Sequence, residues 1–263
     1  MKEEQIYELL EHKFKQYNST AFIETDPICL PHQFTKLQDI EIIGFWVAML
    51  AWGNRKSIIT SGNRLLQWMD NAPHDFILHH QESDLKQFLG FKHRTFNATD
   101  TLYFIEFFKN HYKRYTSLED AFMTDNLKKT YRMSNTEQSL IHFHNHFFSL
   151  EDSPNRTRKH IATPVRGSTC KRINMFLRWM VRKDRRGVDF GLWKKIKPSQ
   201  LLIPLDVHVD RTARKLGLIK RRQTDWKTVL ELTENLKRFD PKDPVKYDFA
   251  LFGLSVLDKM EIN

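Results

Sequence analysis

The chain has 263 residues, 40% of them apolar and 13% aromatic with 20 Phe, which is enough to bury a sizeable core and too apolar for a disordered chain. It contains no run of 18 apolar residues, and the charged start "MKEEQIYELLEHKFKQY" has no signal-type apolar segment. Two cysteines, Cys29 and Cys170, exclude a disulfide framework and a four-cysteine zinc or iron–sulfur site. A soluble protein of the reducing cytoplasm is expected, with no membrane partner. The net charge of +10 is segregated, because residues 154–222 hold 20 Lys/Arg and only four acids, Asp184, Asp189, Asp206 and Asp210. A basic block of that kind reads as a footprint for a polyanion, nucleic acid above all, against the blander reading of a solvated face.

Helical periodicity dominates the chain in order. "EEQIYELLEHKFKQY" places Ile6, Leu9, Leu10 and Phe14 on one helix face. "IEIIGFWVAMLAW" is apolar all round and predicts a buried central helix. "SIITSGNRLLQWM", "TDTLYFIEFFKNHYKRY" and "SNTEQSLIHFHNHFFSL" predict three more, the last running to about Leu150. A loop rich in Pro, Arg and Ser follows, from Asp152 to about Gly167, and four further helices are expected at about 168–183, 206–216, 225–239 and 244–258. Strand signals are scarce. The predicted class is all-α, in two helical lobes: about 40–150 mainly the first, about 155–258 the basic one.

In "RGSTCKRINMFLRWMVRKD", Ile173, Phe176, Leu177, Met180 and Val181 form a buried stripe, and Lys171, Met175, Arg178 and Arg182 align on the opposite face. Ser168 or Thr169 is the expected cap, after a turn at Gly167. Lys171 then falls at the positive end of the helix dipole, beside Arg172. That is a poor place for a cation on stability grounds and a better one for an amine nucleophile. The competing reading is a simple phosphate or water contact at a helix start.

"IPLDVHVDRTARKLGL" reads as a helix capped by Asp206, with Val209, Ala213 and Leu216 inward, Arg211, Arg214 and Lys215 outward, and Gly217 as its left-handed end. Capping alone accounts for Asp206 at this level. The pattern Ile203-Pro204-Leu205-Asp206-Val207-His208-Val209 also resembles the segment that follows the hairpin in helix-hairpin-helix base-excision DNA glycosylases, where the Asp is the catalytic acid. Lys171 matches the nucleophile of the bifunctional members. The 35-residue spacing from Lys171 to Asp206 is similar to the archaeal 8-oxoguanine glycosylase branch. "DPVKYDFALFGLSVLDK" resembles a late helix of that branch whose acid and aromatic line the base pocket, here Asp248 and Phe252, with Phe standing where Trp is usual. "FWVAMLAWGNRKS" is similar to its early buried helix and offers Trp52 and Asn54. The resemblance covers about 40–60 and 160–258 and suggests a bacterial family of its own within the superfamily.

The resemblance implies a two-lobed glycosylase-like fold with a helix-hairpin-helix-type element and a bifunctional glycosylase/AP lyase acting on an oxidised purine such as 8-oxoguanine. Lys171 would form a Schiff base with help from Asp206. Trp52, Asn54, Met175, Asp248 and Phe252 would form the base pocket, between the lobes. Arg166, Gly167, Ser168, Thr169, Arg172, Arg178, His208 and Arg211 would bind the DNA backbone. The usual Leu-Pro-Gly-Val/Ile-Gly hairpin is replaced here by Thr163-Pro164-Val165-Arg166-Gly167-Ser168-Thr169, which keeps one Gly and adds Arg166. The basic and aromatic stretch 182–202 is a further candidate for DNA contact. The expected partner is double-stranded DNA with a damaged base, near the nucleoid, bound by a monomer without cofactor, metal or iron–sulfur cluster. One rival is a non-catalytic DNA- or RNA-structure-binding protein on the same fold. A second is a metal enzyme using His142, His144 and His146, of which only the pair at i and i+4 can share a metal on a helix.

Overall fold

A computed structural model describes residues 1–123 and 134–258. The described residues are mainly helical: α1 Glu3–Tyr17, α2 Thr20–Thr25, α3 Leu37–Leu50, α4 Arg55–Trp68, α5 Pro73–His79, α6 Ala98–Tyr112, α7 Glu137–Phe147, α8 Lys171–Val181, α9 Val207–Lys215, α10 Trp226–Lys237 and α11 Tyr247–Val256. Between α5 and α6 lies one small antiparallel hairpin, β1 Lys92–His93 with β2 Phe96–Asn97, in the register Lys92 to Asn97 and His93 to Phe96. The all-α class is therefore observed. No helix among the described residues is long and apolar enough to cross a membrane.

The chain divides into two compact units. Unit 1 takes Met1–Phe22, Arg132–Gln138 and Thr163–Asn263; unit 2 takes Ile23–Tyr131 and Ser139–Ala162. Thus α1, to which the sequence assigned no role, belongs with the basic C-terminal segment.

Unit 2 is built on phenylalanine. Residues Ile40 to Leu50 of α3 are all buried, as an apolar-all-round helix requires. Phe45 meets Phe104 and Phe143 with ring centroids 5.8 and 5.3 Å apart, and Phe122 stacks on Phe143 at 4.1 Å. Each such buried ring contributes about 1.5–3 kcal/mol through lost contact with water, and the offset and edge-on geometries add to it. The fully buried acid of that helix, Glu41, accepts from Tyr112 Oη at 2.9 Å, Ser117 Oγ at 2.6 Å and Leu118 N at 3.0 Å, which offsets the cost of burying a carboxylate.

In unit 1, α1 packs on α11, and α9 also packs on α11. Gly253 makes the first contact possible: a Cβ there would sit 2.1 Å from Tyr17 Cδ2. Ile173, Phe176, Leu177, Met180 and Val181 of α8 are all buried, as the stripe predicts. The opposite face departs from expectation. Arg178 and Arg182 are 4% and 1% exposed, because Phe249 of α11 packs on both guanidinium groups, Phe14 of α1 on that of Arg182, and Asp189 from the following chain pairs with both. Phe190 N and Trp193 N donate to the carbonyls of Trp179 at 2.8 Å and Met180 at 2.9 Å. Residues 183–202 therefore wrap the end of α8, and Trp193 is buried against Phe176 at 5.4 Å. Trp193 serves this core and not a DNA contact, while Lys183, Arg185, Lys194 and Lys197 stay exposed.

Candidate active site

Residues 163–170 set up Lys171. Pro164–Arg166 form a single 3-10 turn, Gly167 takes a left-handed φ of 72°, and its carbonyl accepts from Trp226 N at 3.0 Å. The loop is thereby tied to the first residue of α10. Cys170 is left-handed as well, with φ 50°, a conformation that costs energy for any residue with a Cβ. It is the residue before α8, and it makes no side-chain cap. The expected caps do not act as such: Ser168 Oγ accepts from Cys170 N at 3.2 Å, outside the helix. Burial pushes the Cys170 thiol up to about 12, so it stays protonated and unreactive near neutral pH. Among the described residues no α-helix precedes α8 at hairpin distance, and residues 148–170 carry only 3-10 turns. A helix-hairpin-helix element is therefore not seen.

Lys171 is the first residue of α8, with no acid in that turn. Asp206 is the N-cap of α9 and uses its two oxygens differently. Oδ1 accepts from His208 N at 2.9 Å and Val209 N at 3.0 Å. Oδ2 lies 3.8 Å from Lys171 Nζ, with side chains 26% and 20% exposed for the lysine and the acid. The cap fixes the carboxylate rigidly, and its free oxygen faces the amine. At 3.8 Å the pair is an ion pair slightly beyond hydrogen-bond reach, near enough for one water or a small side-chain shift to pass a proton.

Asp248, in the first turn of α11, belongs to the same neighbourhood. Burial pushes its carboxyl up to about 6; the Arg178 guanidinium pulls it back, the Asp206 carboxylate pushes it further, and the Lys171 ammonium draws it down. Arg178 pairs with Asp248 and, through Nε at 3.2 Å, with Asp189. Arg182 continues the chain of charges to Asp189 at 3.0 Å, Asp184 at 2.7 Å and Asp243 at 2.8 Å. Arg178 is thus corrected: it does not reach DNA phosphate, because its guanidinium is buried and neutralised inside unit 1. It supports the acid beside the Lys171–Asp206 pair instead. That Asp189 and Asp243 would pair with this face of α8 escaped the sequence reading, since no spacing rule links an irregular loop to a helix face.

The other expected residues divide between the two units. Phe252 is half-buried, its ring 5.8 Å from that of His208, and His208 Nδ1 lies 3.3 Å from Ser255 Oγ. His208 therefore bridges α9 and α11. Met175 and Arg172 are half-buried, and burial pulls Arg172 down to about 10. Arg166, Gly167 and Arg211 are exposed, with Ser168 and Thr169 half-buried between them. Trp52 and Asn54 lie in unit 2. Asn54 caps α4 by accepting from Lys56 N at 2.8 Å, and Trp52 is 36% exposed beneath the Arg94 guanidinium at 5.4 Å.

The histidine run does not converge. His142 and His146 stack at 6.0 Å, whereas His144 is buried with Nδ1 2.9 Å from the carbonyl of Ile161. Among the described residues no group of three or more His, Cys, Asp or Glu is arranged to hold a metal ion.

A protein-family model described as "Protein of unknown function (DUF2400)" matches residues 26–257. No curated protein and no solved structure matches the chain.

Proposed function

We propose a function for this chain, which belongs to the DUF2400 family: it removes a damaged base from double-stranded DNA and cleaves the resulting abasic site, as a bifunctional glycosylase/AP lyase. The observation that carries this reading is the 3.8 Å separation of Lys171 Nζ from the one oxygen of Asp206 that capping leaves over. A lysine nucleophile needs a nearby base to accept its proton and a fixed negative charge to steady the cation that develops on the sugar. Asp206 is placed for both, and its rigid cap lowers the cost of holding that position.

In the proposed reaction the target nucleotide is turned out of the duplex. The Lys171 nitrogen, having given a proton to Asp206, forms a bond to C1′ as the bond from C1′ to the base breaks. The base leaves with the glycosidic electron pair and takes a proton. The sugar ring then opens to a protonated Schiff base, and loss of a C2′ proton expels the 3′ phosphate. Asp248 and Phe252 are the proposed wall for the base, and an oxidised purine such as 8-oxoguanine is the proposed substrate. Arg166 and Arg211, exposed on the same unit, are the proposed phosphate contacts. No step calls for a metal.

Borohydride reduction in the presence of an oligonucleotide carrying 8-oxoguanine or an abasic site should leave the chain covalently attached to DNA, and Lys171→Ala should abolish that product. DNA binding with no trapped product across a panel of lesions would instead favour a non-catalytic nucleic-acid-binding protein. Equal trapping by Lys171→Ala would remove Lys171 from the mechanism.

A further inference from the structure

Unit 2 carries a groove of about 480 Å³ that lies wholly outside the basic block of the sequence. Its walls come from the first turns of α4 and from the β1–β2 hairpin. Three cations line it, Lys56 on α4 and Lys92 and Arg94 on the hairpin. The rest of the lining is Asn54, His93, Ser57, Thr60 and Ser61, with no carboxylate among them. Among the described residues no acid forms an ion pair with Lys56, Lys92 or Arg94, whereas the neighbouring Arg55 pairs with Asp26 at 3.3 Å. Three uncompensated positive charges in a concave site focus a strong field for anions.

The groove is also held in shape. His93 is 4% exposed, and its Nδ1 shares a hydrogen bond with Ser61 Oγ at 2.8 Å, which joins the hairpin to α4. Arg94 adopts a left-handed φ of 55°, where Gly or Asn is the unstrained choice. Its guanidinium lies so close to Gly53 (φ 104°) that a Cβ there would be 2.4 Å from Nη2. The other face of that guanidinium is set by the Trp52 ring. The fold thus spends backbone strain on keeping this cation at the rim.

We propose that this groove holds consecutive phosphates of a nucleic-acid strand. A groove open to solvent suits a chain that continues past its ends. Cations on two separate elements suit more than one phosphate. The inference rests on the nucleic-acid part of the proposed function and not on its chemistry, so affinity can be read in a Lys171→Ala background.

The test titrates a labelled single-stranded 20-mer with the full chain over a salt series, comparing the Lys56→Gln/Lys92→Gln double variant with Lys86→Gln, an exposed lysine outside the groove. Melting curves establish that each variant is folded. The double variant should bind about 10-fold more weakly, and its slope of log affinity against log salt should shrink by about 1.4, as expected for two lost phosphate contacts on a single strand. Lys86→Gln should match the wild type. A double variant that binds as tightly as wild type, with the same slope, overturns the inference alone. A wild-type chain that binds no single strand also overturns the inference, whereas the proposed function, which concerns double-stranded DNA, is read separately by trapping. Tripolyphosphate that displaces the strand at equal phosphate concentration overturns the strand assignment in favour of a small polyphosphate ligand.

Discussion

Replacing Asp206 separates its two roles. Asp206→Ala removes the oxygen that accepts from His208 N and Val209 N. An N-cap deletion costs about 0.5–2 kcal/mol, and losing an acid at a helix start adds about 0.3–1 kcal/mol. For a chain of this size, about 1–3 kcal/mol corresponds to a melting temperature lower by about 2–10 °C. Asp206→Asn keeps a side-chain oxygen for the same two amides and loses only the charge. It should therefore melt within about 1–4 °C of the wild type. The oxygen that faces Lys171 Nζ at 3.8 Å becomes neutral in that variant. The trapping rate should then fall about 10²–10⁴-fold, the usual contribution of a positioned proton acceptor. Melting by fluorimetry and borohydride trapping on an abasic oligonucleotide give the two readouts from the same preparations. Trapping at the wild-type rate by Asp206→Asn would refute a chemical role for the carboxylate. An Asn variant as unstable as the Ala variant would refute the division of labour between its oxygens.

Two further predictions concern the ionic network beneath the site. Asp248 has its folded pKa raised from 3.8 to about 6, so its protonated form stabilises the fold below about pH 4 and that contribution fades as pH rises through 6. In urea titrations the stability of the wild type relative to Asp248→Asn should accordingly drop between pH 4 and 6, by up to about 3 kcal/mol, and a flat difference would rule out the shift. Arg182→Ala leaves the buried Asp189 carboxylate without one of its two arginines and takes from Asp243 its arginine partner, while Asp184 keeps Asn18 and the Arg186 amide. The expected cost is about 3–5 kcal/mol, read as a lower urea midpoint, and a loss under about 1 kcal/mol would show the network to be dispensable.

Local physics is legible without coordinates, and it carried the sequence reading some distance. The apolar-all-round run from Ile40 to Leu50 becomes a buried helix because no face of it can meet water. The Asp206 cap forms because a short carboxylate before a helix finds the free amides of its first turn wherever the helix packs. The stripe of α8 is buried for the same periodic reason. What packs over the other face of α8 is not periodic. A charged helix face normally meets solvent, so Arg178 and Arg182 read as exposed cations until Phe249 of α11 packs on them and Asp189 from the irregular chain neutralises them. The left-handed Cys170 that starts α8 one residue before Lys171 follows from how the 163–170 loop is tied to α10, and no propensity announces it. The groove on unit 2 was invisible for a related reason. Lys56, Lys92 and Arg94 are scattered along a stretch that lies outside the basic block, and only the packing of the hairpin against α4 brings them to one concave surface. Sequence thus determined which segments fold and how each helix is capped, because those depend on neighbours a few residues away. Tertiary structure alone decided which charges are buried in pairs and which are left facing a ligand, because that depends on chain that arrives from far along the sequence.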